Sequence, residues 1–595
     1  MQGTVVTVAV VAGDGVKIGS ELVVLESMKM EHAVNSSVEG VAIAVHVTPG
    51  DLVVAGQLLV ELEGSSSRPE APGGRPEETP SDGLARPDLS EARERHRIGL
   101  DEARPEAVAR RHASGRRTAR ENIADLCDPG SFVEYGPLVI AAQRRRRSIE
   151  DLIANTPADG LVGGVGAVAG RPVIAMSYDY TVLAGTQGLQ NHQKKDRLFE
   201  LAWRRRIPVV LFGEGGGGRP GDTDRGGPTG LDCAAFALFA KLSARVPLVG
   251  VNGGMCFAGN AALLGCCDVV IATVDSNIGM GGPAMIEGGG LGTFAPSEIG
   301  PAAVQSRNGV LDVVVADEAE AVAVAKRYLS YFGGRAPEAA APDQELLRHV
   351  VPRQRLRGYD MRRAVDLVCD EGSVLELREA FGVGMITALA RVDSRAIGVI
   401  ANNPMHLGGA IDADAADKAA RFMQLCEAFR IPILFLCDTP GIMVGPEAEE
   451  AATVRHVSRM FVTGASLTVP FGTIVLRKGY GLGAQSMAGG SFKAPLFTVA
   501  WPTGEFGGMG LEGAVKLGYR RELEAVEDDA EREALLAELI EDAYARGKAL
   551  SVATYFEIDD VIDPAESRRW IATLFESDLT EAPPAGKHRP FVDTW

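Results

Sequence analysis

The sequence predicts a multidomain protein, with a small all-β domain at the N-terminus followed by two α/β domains. A chain of 595 residues is longer than one hydrophobic core supports, because single cores stop growing near about 250–300 residues. Two internal repeats, and a stretch of linker composition between them, indicate where the domains divide. We expect an N-terminal domain in residues 1–63, a flexible linker in 64–87, and α/β domains in 88–337 and 345–595.

The first repeat makes up the N-terminal domain. Residues 3–26 align without gaps on residues 40–63, and both segments are rich in Val and Leu with glycines between them. Such segments are typical of short strands. A repeat this dense predicts two similar halves related by a pseudo-twofold axis. The segment between the halves is then a hairpin, and it contains Met28, Lys29 and Met30.

Lys29 is the candidate attachment point for a covalent group. A lysine at the tip of a hairpin is exposed, and its long side chain suits it to carry a cargo on an amide bond. The Met28-Lys29-Met30 triplet resembles that of the biotinyl carrier domain of biotin-dependent carboxylases. The resemblance implies that Lys29 carries covalent biotin, with Met28 and Met30 beside it, and that a biotin protein ligase attaches it. Two alternatives stay open, an ordinary turn lysine and a lipoyl domain, which usually lacks the flanking methionines.

Residues 64–87 are poor in apolar residues and rich in Pro, Gly, Ser and Glu. This composition is typical of a flexible linker. A tethered carrier needs such a linker if it is to visit two distant sites. An inert junction between fused domains is the alternative interpretation.

Composition argues against several classes of protein. The net charge of −19 argues against a large basic surface for nucleic acid. We find neither a secretory signal at the N-terminus nor an apolar run long enough to cross a membrane. The eight cysteines include no C-x-x-C pair and the nine histidines show no metal-binding spacing, so we expect no metal site and a reducing, cytoplasmic compartment.

The second repeat lies in the body of the chain. Residues 197–217 align with residues 421–441, and in each a helical pattern ends at Ile-Pro and is followed by an apolar strand and a glycine-containing loop. Alternating helices and strands predict βαβ units and a mostly parallel sheet. Glycine-rich turns follow several strands, and such turns can expose backbone N–H groups near a helix N-terminus. Those groups can stabilise an anion, including a developing enolate.

Residues 95–595 resemble the carboxyltransferase (beta-type) subunit of acyl-CoA carboxylases of the acetyl-, propionyl- and longer-chain type. The segments that carry the resemblance are GRRTARE at 115–121, NNP at 402–404, LGG at 407–409, DTPG at 438–441 and MGLEGAV at 509–515. The resemblance implies a crotonase-like ββα superhelix in each half, an active site at a dimer interface, and usually a homo-hexamer.

The resemblance also implies the chemistry. CO₂ moves from carboxybiotin to the α-carbon of an acyl-CoA through an enolate, and two nests of backbone N–H groups stabilise the two oxyanions. Carried over to this sequence, the first nest follows Ala258. The implied catalytic residues of the two nests are Gly259, Asn260, Gly481, Leu482 and Gly483.

Two of these residues differ from the family pattern. Asn260 and Leu482 stand where the family has small residues, so we expect their side chains to alter the space around the acyl group. Gln485 falls where the family lines its acyl pocket. The acyl chain itself is left open, with acetyl, propionyl, butyryl and long-chain thioesters all compatible with the sequence.

No biotin carboxylase is visible, although the resemblance requires one to charge the biotin. That activity needs an ATP-grasp domain of several hundred residues, so we predict a partner subunit that binds ATP, Mg²⁺ and bicarbonate. Two other functions stay open, a decarboxylase subunit that runs the same half-reaction backwards and a non-catalytic scaffold that carries biotin. A plain enoyl-CoA hydratase is less favoured, because we see no paired glutamates at a suitable site and it would not need Lys29.

Overall fold

The structure is a computed structural model that describes residues 2–64, 86–219, 221–224, 231–576 and 591–595. The chain divides into two compact units, Met1–Arg86 and Pro87–Trp595. The predicted linker lies outside the described residues except at its two ends.

The N-terminal unit is built from short strands in two small antiparallel sheets. In chain order the strands are β1 (Gly3–Val8), β2 (Gly15–Val16), β3 (Glu21–Ser27), β4 (Met30–Asn35), β5 (Gly40–Val45), β6 (Leu52–Val53) and β7 (Val60–Gly64). One sheet has the order β4-β3-β1-β6 and the other β2-β5-β7. Strands β5 and β6 begin at the positions that the repeat aligns with the starts of β1 and β2, so the sequence repeat is also a structural one. The predicted all-β domain is confirmed.

Apolar side chains from both repeats fill the core of this unit. Val5, Val23, Leu25, Val47 and Val53 are all buried and pack in one cluster. Val10, Val16 and Leu22 belong to the same buried cluster. Because alternate residues of a strand point to opposite faces, other apolar side chains such as Val41 and Leu52 are largely exposed.

The second unit begins with the first half of the α/β body. Its helices and strands are α1 (Pro87–Ile98), α2 (Pro105–Ala113), α3 (Ala119–Leu126), β8 (Val133–Glu134), α4 (Ile149–Asn155), β9 (Leu161–Val168), β10 (Arg171–Tyr178), α5 (Leu189–Arg205), β11 (Val209–Phe212), α6 (Ala235–Ala240), β12 (Leu248–Asn252), β13 (Met255–Phe257), α7 (Gly259–Gly265), β14 (Val269–Thr273), β15 (Asn277–Gly279), α8 (Pro283–Gly288), α9 (Ala302–Gln305), β16 (Val313–Val315) and α10 (Glu318–Ser330). The main sheet has the order β16-β14-β12-β11-β10-β9-β8, and β13 pairs with β15 beside it.

The second half follows the same plan. Its helices and strands are α11 (Arg362–Val368), β17 (Leu375–Leu377), β18 (Met385–Val392), β19 (Arg395–Asn402), α12 (Ala413–Ala428), β20 (Ile433–Thr439), α13 (Pro446–Glu450), α14 (Thr453–Gly464), β21 (Phe471–Tyr480), α15 (Gly481–Ser486), β22 (Phe497–Ala500), β23 (Glu505–Gly507), α16 (Leu511–Gly518), α17 (Arg520–Glu524), α18 (Asp529–Gly547), α19 (Ala549–Thr554), β24 (Asp560–Val561) and α20 (Ser567–Ala572). The sheet has the order β17-β18-β19-β20-β21-β22-β24, and β23 pairs with β21.

The two halves share one topology. In each, the first three strands of the sheet pair antiparallel and the following strands pair parallel. Helices α5 and α12 start at Leu189 and Ala413, ahead of the sequence repeat but at the same offset that relates residues 197–217 to 421–441. The predicted pair of α/β domains with mostly parallel sheets is therefore confirmed.

One hydrophobic cluster joins the two halves of the body. It includes Tyr328 on α10 and Phe422 on α12, and the rings of Phe332 and Phe429 pack edge-on with centroids 4.9 Å apart. Within the described ranges, no helix combines the length and the apolar character needed to cross a bilayer.

Candidate functional site

Lys29 lies at the tip of the β3–β4 hairpin. Ser27 pairs with Met30, so Met28 and Lys29 alone form the turn. Both have positive φ, 53° and 65°. Two-residue hairpin turns of this kind favour Asn and Gly, because side chains with a Cβ rarely adopt positive φ. The predicted hairpin position is confirmed, and the strained residues mark the tip as a functional candidate.

The tip has room for an amide-linked group. Met28 is 96% exposed and Met30 is 63% exposed, and Lys29 is also exposed. Within the described residues the Lys29 ammonium makes no ion pair or hydrogen bond. The residues at the tip therefore fit a covalently carried group, since its attachment displaces nothing.

The first predicted nest lies where β13 passes into α7. Ala258 joins them with φ 51° and ψ −122°. Its N–H donates to the carbonyl of Gly279 at 3.0 Å, and its carbonyl accepts the N–H of Ala262 at 2.9 Å. The N–H groups of Gly259 and Asn260 precede the first helical hydrogen bond and have no acceptor among the described residues. Such N–H groups are available to an oxyanion.

The side chain of Asn260 differs from our expectation. It is fully buried, and it bridges Gly185 and Gln187 by donating from Nδ2 to the Gly185 carbonyl at 3.3 Å and accepting from Gln187 Nε2 at 3.1 Å. It therefore anchors the start of α7 to the loop before α5 and does not fill the space beside Gly259. Phe236 is the aromatic side chain that lies near Gly259, since a Cβ added to that glycine would be 3.2 Å from the Phe236 ring.

The second predicted nest lies where β21 passes into α15. Gly481, with φ 56°, opens the helix after Tyr480. The N–H groups of Leu482 and Gly483 have no acceptor in the described part of the chain. Leu482 is 59% exposed, whereas Gly483 is buried, with a Cβ added to Gly483 lying only 2.7 Å from the Cα of Gly441.

A glycine from the neighbouring strand-end loop supports the nest in each half. Gly217 and Gly441 are equivalent in the sequence repeat, and both have positive φ. The carbonyl of Gly217 accepts the N–H of Gln187 at 2.7 Å, and that of Gly441 accepts the N–H of Ile411 at 3.0 Å. A Cβ added to Gly217 would be 2.6 Å from the Cβ of Ala258. The two nests are thus built in the same way.

A buried ion pair fixes the strand ends below the second nest. Arg477 Nε donates to Asp438 Oδ2 at 3.0 Å, and neither side chain is appreciably exposed. Asp438 also accepts the backbone N–H of Lys478 and donates its own N–H to Asn402, both at 3.1 Å. Burial lowers the pKa of the Lys478 ammonium, which donates to the carbonyl of Gly408 at 2.7 Å. This network holds β19, β20 and β21 in a fixed relation.

A second polar pair lies on the strand next to this nest. Tyr480 donates its hydroxyl to Glu505 Oε2 at 3.0 Å. Burial raises the pKa of Glu505 above its usual range, although the Tyr480 hydrogen bond and the nearby Arg355 favour its charged form. Glu505 is thus a titratable group beside the second nest, on the parallel pair of β21 and β23.

The predicted site residues belong to three different parts of the chain. Lys29 belongs to the N-terminal unit, and the two nests belong to different halves of the body. Within the described residues no hydrogen bond or ion pair joins one nest to the other. Gln485 lies on α15, one turn after Leu482, with its side chain exposed.

Sequence reasoning missed the residues that support the nests. Gln187, Gly217 and the Asp438–Arg477 pair were not singled out for these roles. The repeat contains a usable signal for one of them, because it aligns Gly217 with Gly441 of the DTPG segment. Nothing local marks Gln187, whose role depends on the distant Asn260.

Comparison with known proteins finds a matching family for the N-terminal domain and another for the α/β body. Residues 110–590 match the carboxyl transferase domain family, and residues 1–62 match the family of biotin-requiring enzymes. The chain is 32% identical over 556 residues to the propionyl-CoA carboxylase beta chain of Saccharopolyspora erythraea, covering 88% of this chain and 99% of that protein.

Two solved structures are similar over most of the chain. A single-chain, multi-domain long-chain acyl-CoA carboxylase aligns with a TM-score of 0.79 and 59% identity, covering 96% of this chain but 55% of that protein. This chain therefore spans about half of that carboxylase. The transcarboxylase 12S subunit, a hexamer solved with methylmalonyl-CoA, aligns with a TM-score of 0.74 and 32% identity, covering 85% of this chain and 98% of that one.

Proposed function

Because the chain belongs to the carboxyl transferase family and begins with a domain of the biotin-requiring enzymes, we propose that it transfers a carboxyl group between biotin on Lys29 and an acyl-CoA held at Gly259. The chain is a biotin-carrying carboxyltransferase of the acyl-CoA carboxylase class, with crotonase-like α/β domains.

Lys29 holds the biotin through an amide bond from its Nζ. Exposure of the whole Met28–Met30 tip supports this assignment, because a ligase and two active sites must all reach it. Bound biotin, once carboxylated, would supply the carboxyl group that is exchanged. The Met28 and Met30 side chains flank the lysine and give the tip an apolar surface.

Each nest stabilises one oxyanion. The N–H groups of Gly259 and Asn260 would donate to the thioester oxygen as the enolate forms, and those of Leu482 and Gly483 would hold the ureido oxygen of bound biotin. Their lack of acceptors in the described ranges supports these roles, as does the close packing of Gly217 and Gly441 against the two nests. Preorganised donors of this kind contribute on the order of 10²–10³ in rate each.

Since no hydrogen bond or ion pair joins the two nests among the residues that the structure describes, we propose that the first nest of one subunit faces the second nest of another. The hexameric 12S structure supports a hexamer for this chain as well. The proposed partners are a biotin carboxylase that uses ATP, Mg²⁺ and bicarbonate, and a biotin protein ligase, in the cytoplasm. The 59% identity with the long-chain enzyme supports a long acyl chain on the substrate.

The observation that carries the proposal is the presence of two equivalently built nests of free N–H groups in a chain that also presents Lys29. The test is to incubate the full chain with free biotin and malonyl-, methylmalonyl- or longer-chain carboxyacyl-CoA, and to follow loss of the carboxyl group. We expect transfer in the wild-type chain and equally in Lys29→Ala, because free biotin replaces the tethered group.

Attachment to Lys29 is tested separately by intact mass after treatment with biotin protein ligase. The mass increase should disappear in Lys29→Ala and persist in Lys17→Ala, which changes the other exposed lysine of the same unit.

In the carboxyl-transfer test, a folded, oligomeric sample that reacts with no thioester would refute the nest assignment and favour the scaffold function.

A further inference from the structure

An exposed apolar segment follows the first nest directly. Residues 280–294, here called the strap, run from the end of β15 through α8 to the loop after it. Met280 is 72% exposed, Met285 62%, Leu291 75% and Phe294 43%. Exposed apolar clusters of this kind usually mark a binding surface, because single exposed apolar residues are normally scattered.

We propose that the strap binds the acyl chain of the thioester and sets the preference for chain length. This inference rests on the proposed function, since it takes the acyl-CoA carbonyl to lie at Gly259 and Asn260. The strap then provides the apolar wall along which the methylenes beyond the α-carbon extend.

The strap is continuous with the first nest. Gly279, immediately before it, accepts the hydrogen bond of the Ala258 N–H at 3.0 Å. The buried ring of Phe257 lies against the start of the strap, because a Cβ added to Gly282 would be 3.4 Å from that ring. Met280 therefore follows directly on the residue that is hydrogen-bonded to the nest.

The helix of the strap is little covered by the described part of the chain. Helix α8 buries none of its residues, although it contains Met285 and Ile286. The corresponding helix of the second half, α16, follows β23 in the same way but buries Leu511 and Val515. The apolar residues of α8 are thus available to a ligand in a way that those of α16 are not.

The chemistry of the strap suits a flexible hydrocarbon. Its sequence, MGGPAMIEGGGLGTF, contains one charged residue, Glu287, in a chain that is 23% charged. Methionine side chains are unbranched and polarizable, so they adapt to ligands of different length. A second copy of this chain is the competing occupant, and the test is designed to separate the two.

The test compares the free-biotin half-reaction across carboxyacyl-CoA donors of increasing chain length. In the full wild-type chain, kcat/KM should rise about three- to fourfold for each methylene that contacts the strap. In the double variant Met280→Gln, Met285→Gln the rise should flatten, with the longest donors losing about tenfold or more and malonyl-CoA changing by less than about twofold. Met285→Leu should keep the wild-type dependence on chain length.

The control is Leu550→Gln, which changes a 66% exposed apolar residue on α19 and should leave the dependence on chain length unaltered. Equal loss for malonyl-CoA and for long donors, or a fall in oligomeric mass by light scattering, would assign the strap to subunit contact and overturn the proposal. A wild-type chain that reacts equally with all donors would refute the proposed role of the strap in binding the acyl chain, but it would not contradict the proposed function. A wild-type chain that reacts with none would refute the function itself.

Discussion

Gly483 lies so close to Gly441 that no side chain fits between them. A Cβ on Gly483 would be 2.7 Å from the Cα and 2.8 Å from the carbonyl carbon of Gly441. Both neighbours are backbone atoms, so a side-chain rotation cannot relieve the contact. The N-terminus of α15 can therefore pack directly against the DTPG loop only because both positions are glycine.

We expect Gly483→Ala to slow the half-reaction with free biotin by on the order of 10²–10³. The loop and the nest must move apart, so the N–H groups no longer point at the oxyanion. The measurement is kcat with a saturating carboxyacyl-CoA. Gly518→Ala is the control, since a Cβ there meets no atom within 4 Å. A Gly483→Ala chain that retains more than about half of the wild-type rate would show that the nest is not catalytic.

Asn260→Ala should loosen the first nest. The substitution leaves the Gly185 carbonyl and Gln187 Nε2 without their buried partner, which costs about 1–3 kcal/mol of stability. We expect a lower midpoint in urea unfolding together with a lower kcat/KM for the thioester. Asn308→Ala removes two exposed hydrogen bonds, one donated to Gln305 and one accepted from the Val310 N–H, and should change stability by less than about 0.5 kcal/mol. Equal effects of the two variants would contradict an anchoring role for Asn260.

Asp438→Asn should be more damaging than removal of the whole ion pair. The single substitution leaves the Arg477 guanidinium buried without its counter-charge, which costs about 3–5 kcal/mol. The double variant Asp438→Asn, Arg477→Met has no charge left to desolvate, so we expect it to regain part of that loss. Urea unfolding of the two single variants and the double variant measures the coupling. Additive losses would show that the pair does not act as a unit.

Lys195 should make stability depend on pH. It is fully buried, and burial lowers its pKa from 10.5 to about 7, with the Tyr178 hydroxyl at 3.0 Å as its hydrogen-bond partner. Between these two values the unfolded chain binds more protons than the folded one, so the lysine's destabilising effect is full below pH 7 and fades as the pH rises.

Lys195→Met removes this pH-dependent contribution to the free energy of unfolding. Relative to the wild-type chain, the stability advantage of the variant should be greatest below pH 7 and should fall by about 2 kcal/mol between pH 7 and pH 9. Thermal unfolding of both proteins at the two pH values tests this, and Lys241→Met, at an exposed position, should show no such change. A difference in stability that does not vary with pH would show that Lys195 is not desolvated in the folded chain.

Local sequence patterns predicted the helices and strands but not the long-range hydrogen bonds and ion pairs that position the two nests. Glycine spacing and apolar periodicity are properties of neighbouring residues, so the repeats predicted both the strands around Lys29 and the equivalence of α5 and α12. Asn260 reaches Gly185, 75 positions earlier in the chain, and no local pattern carries that information. The same holds for Asp438 and Arg477, which meet only because β20 and β21 pair. The antiparallel strand β8 escaped prediction because it has two residues.

The positive φ angles of Met28 and Lys29 have a consequence for the order of events in the cell. The turn exists only when β3 and β4 have paired, since an unfolded chain rarely places two such residues in that conformation. An enzyme that reads this geometry would modify the chain after the N-terminal unit has folded, and would pass over nascent or misfolded copies. The fraction of chains that carry biotin would then not exceed the fraction whose N-terminal unit has folded, because each modified chain must first have formed the native hairpin.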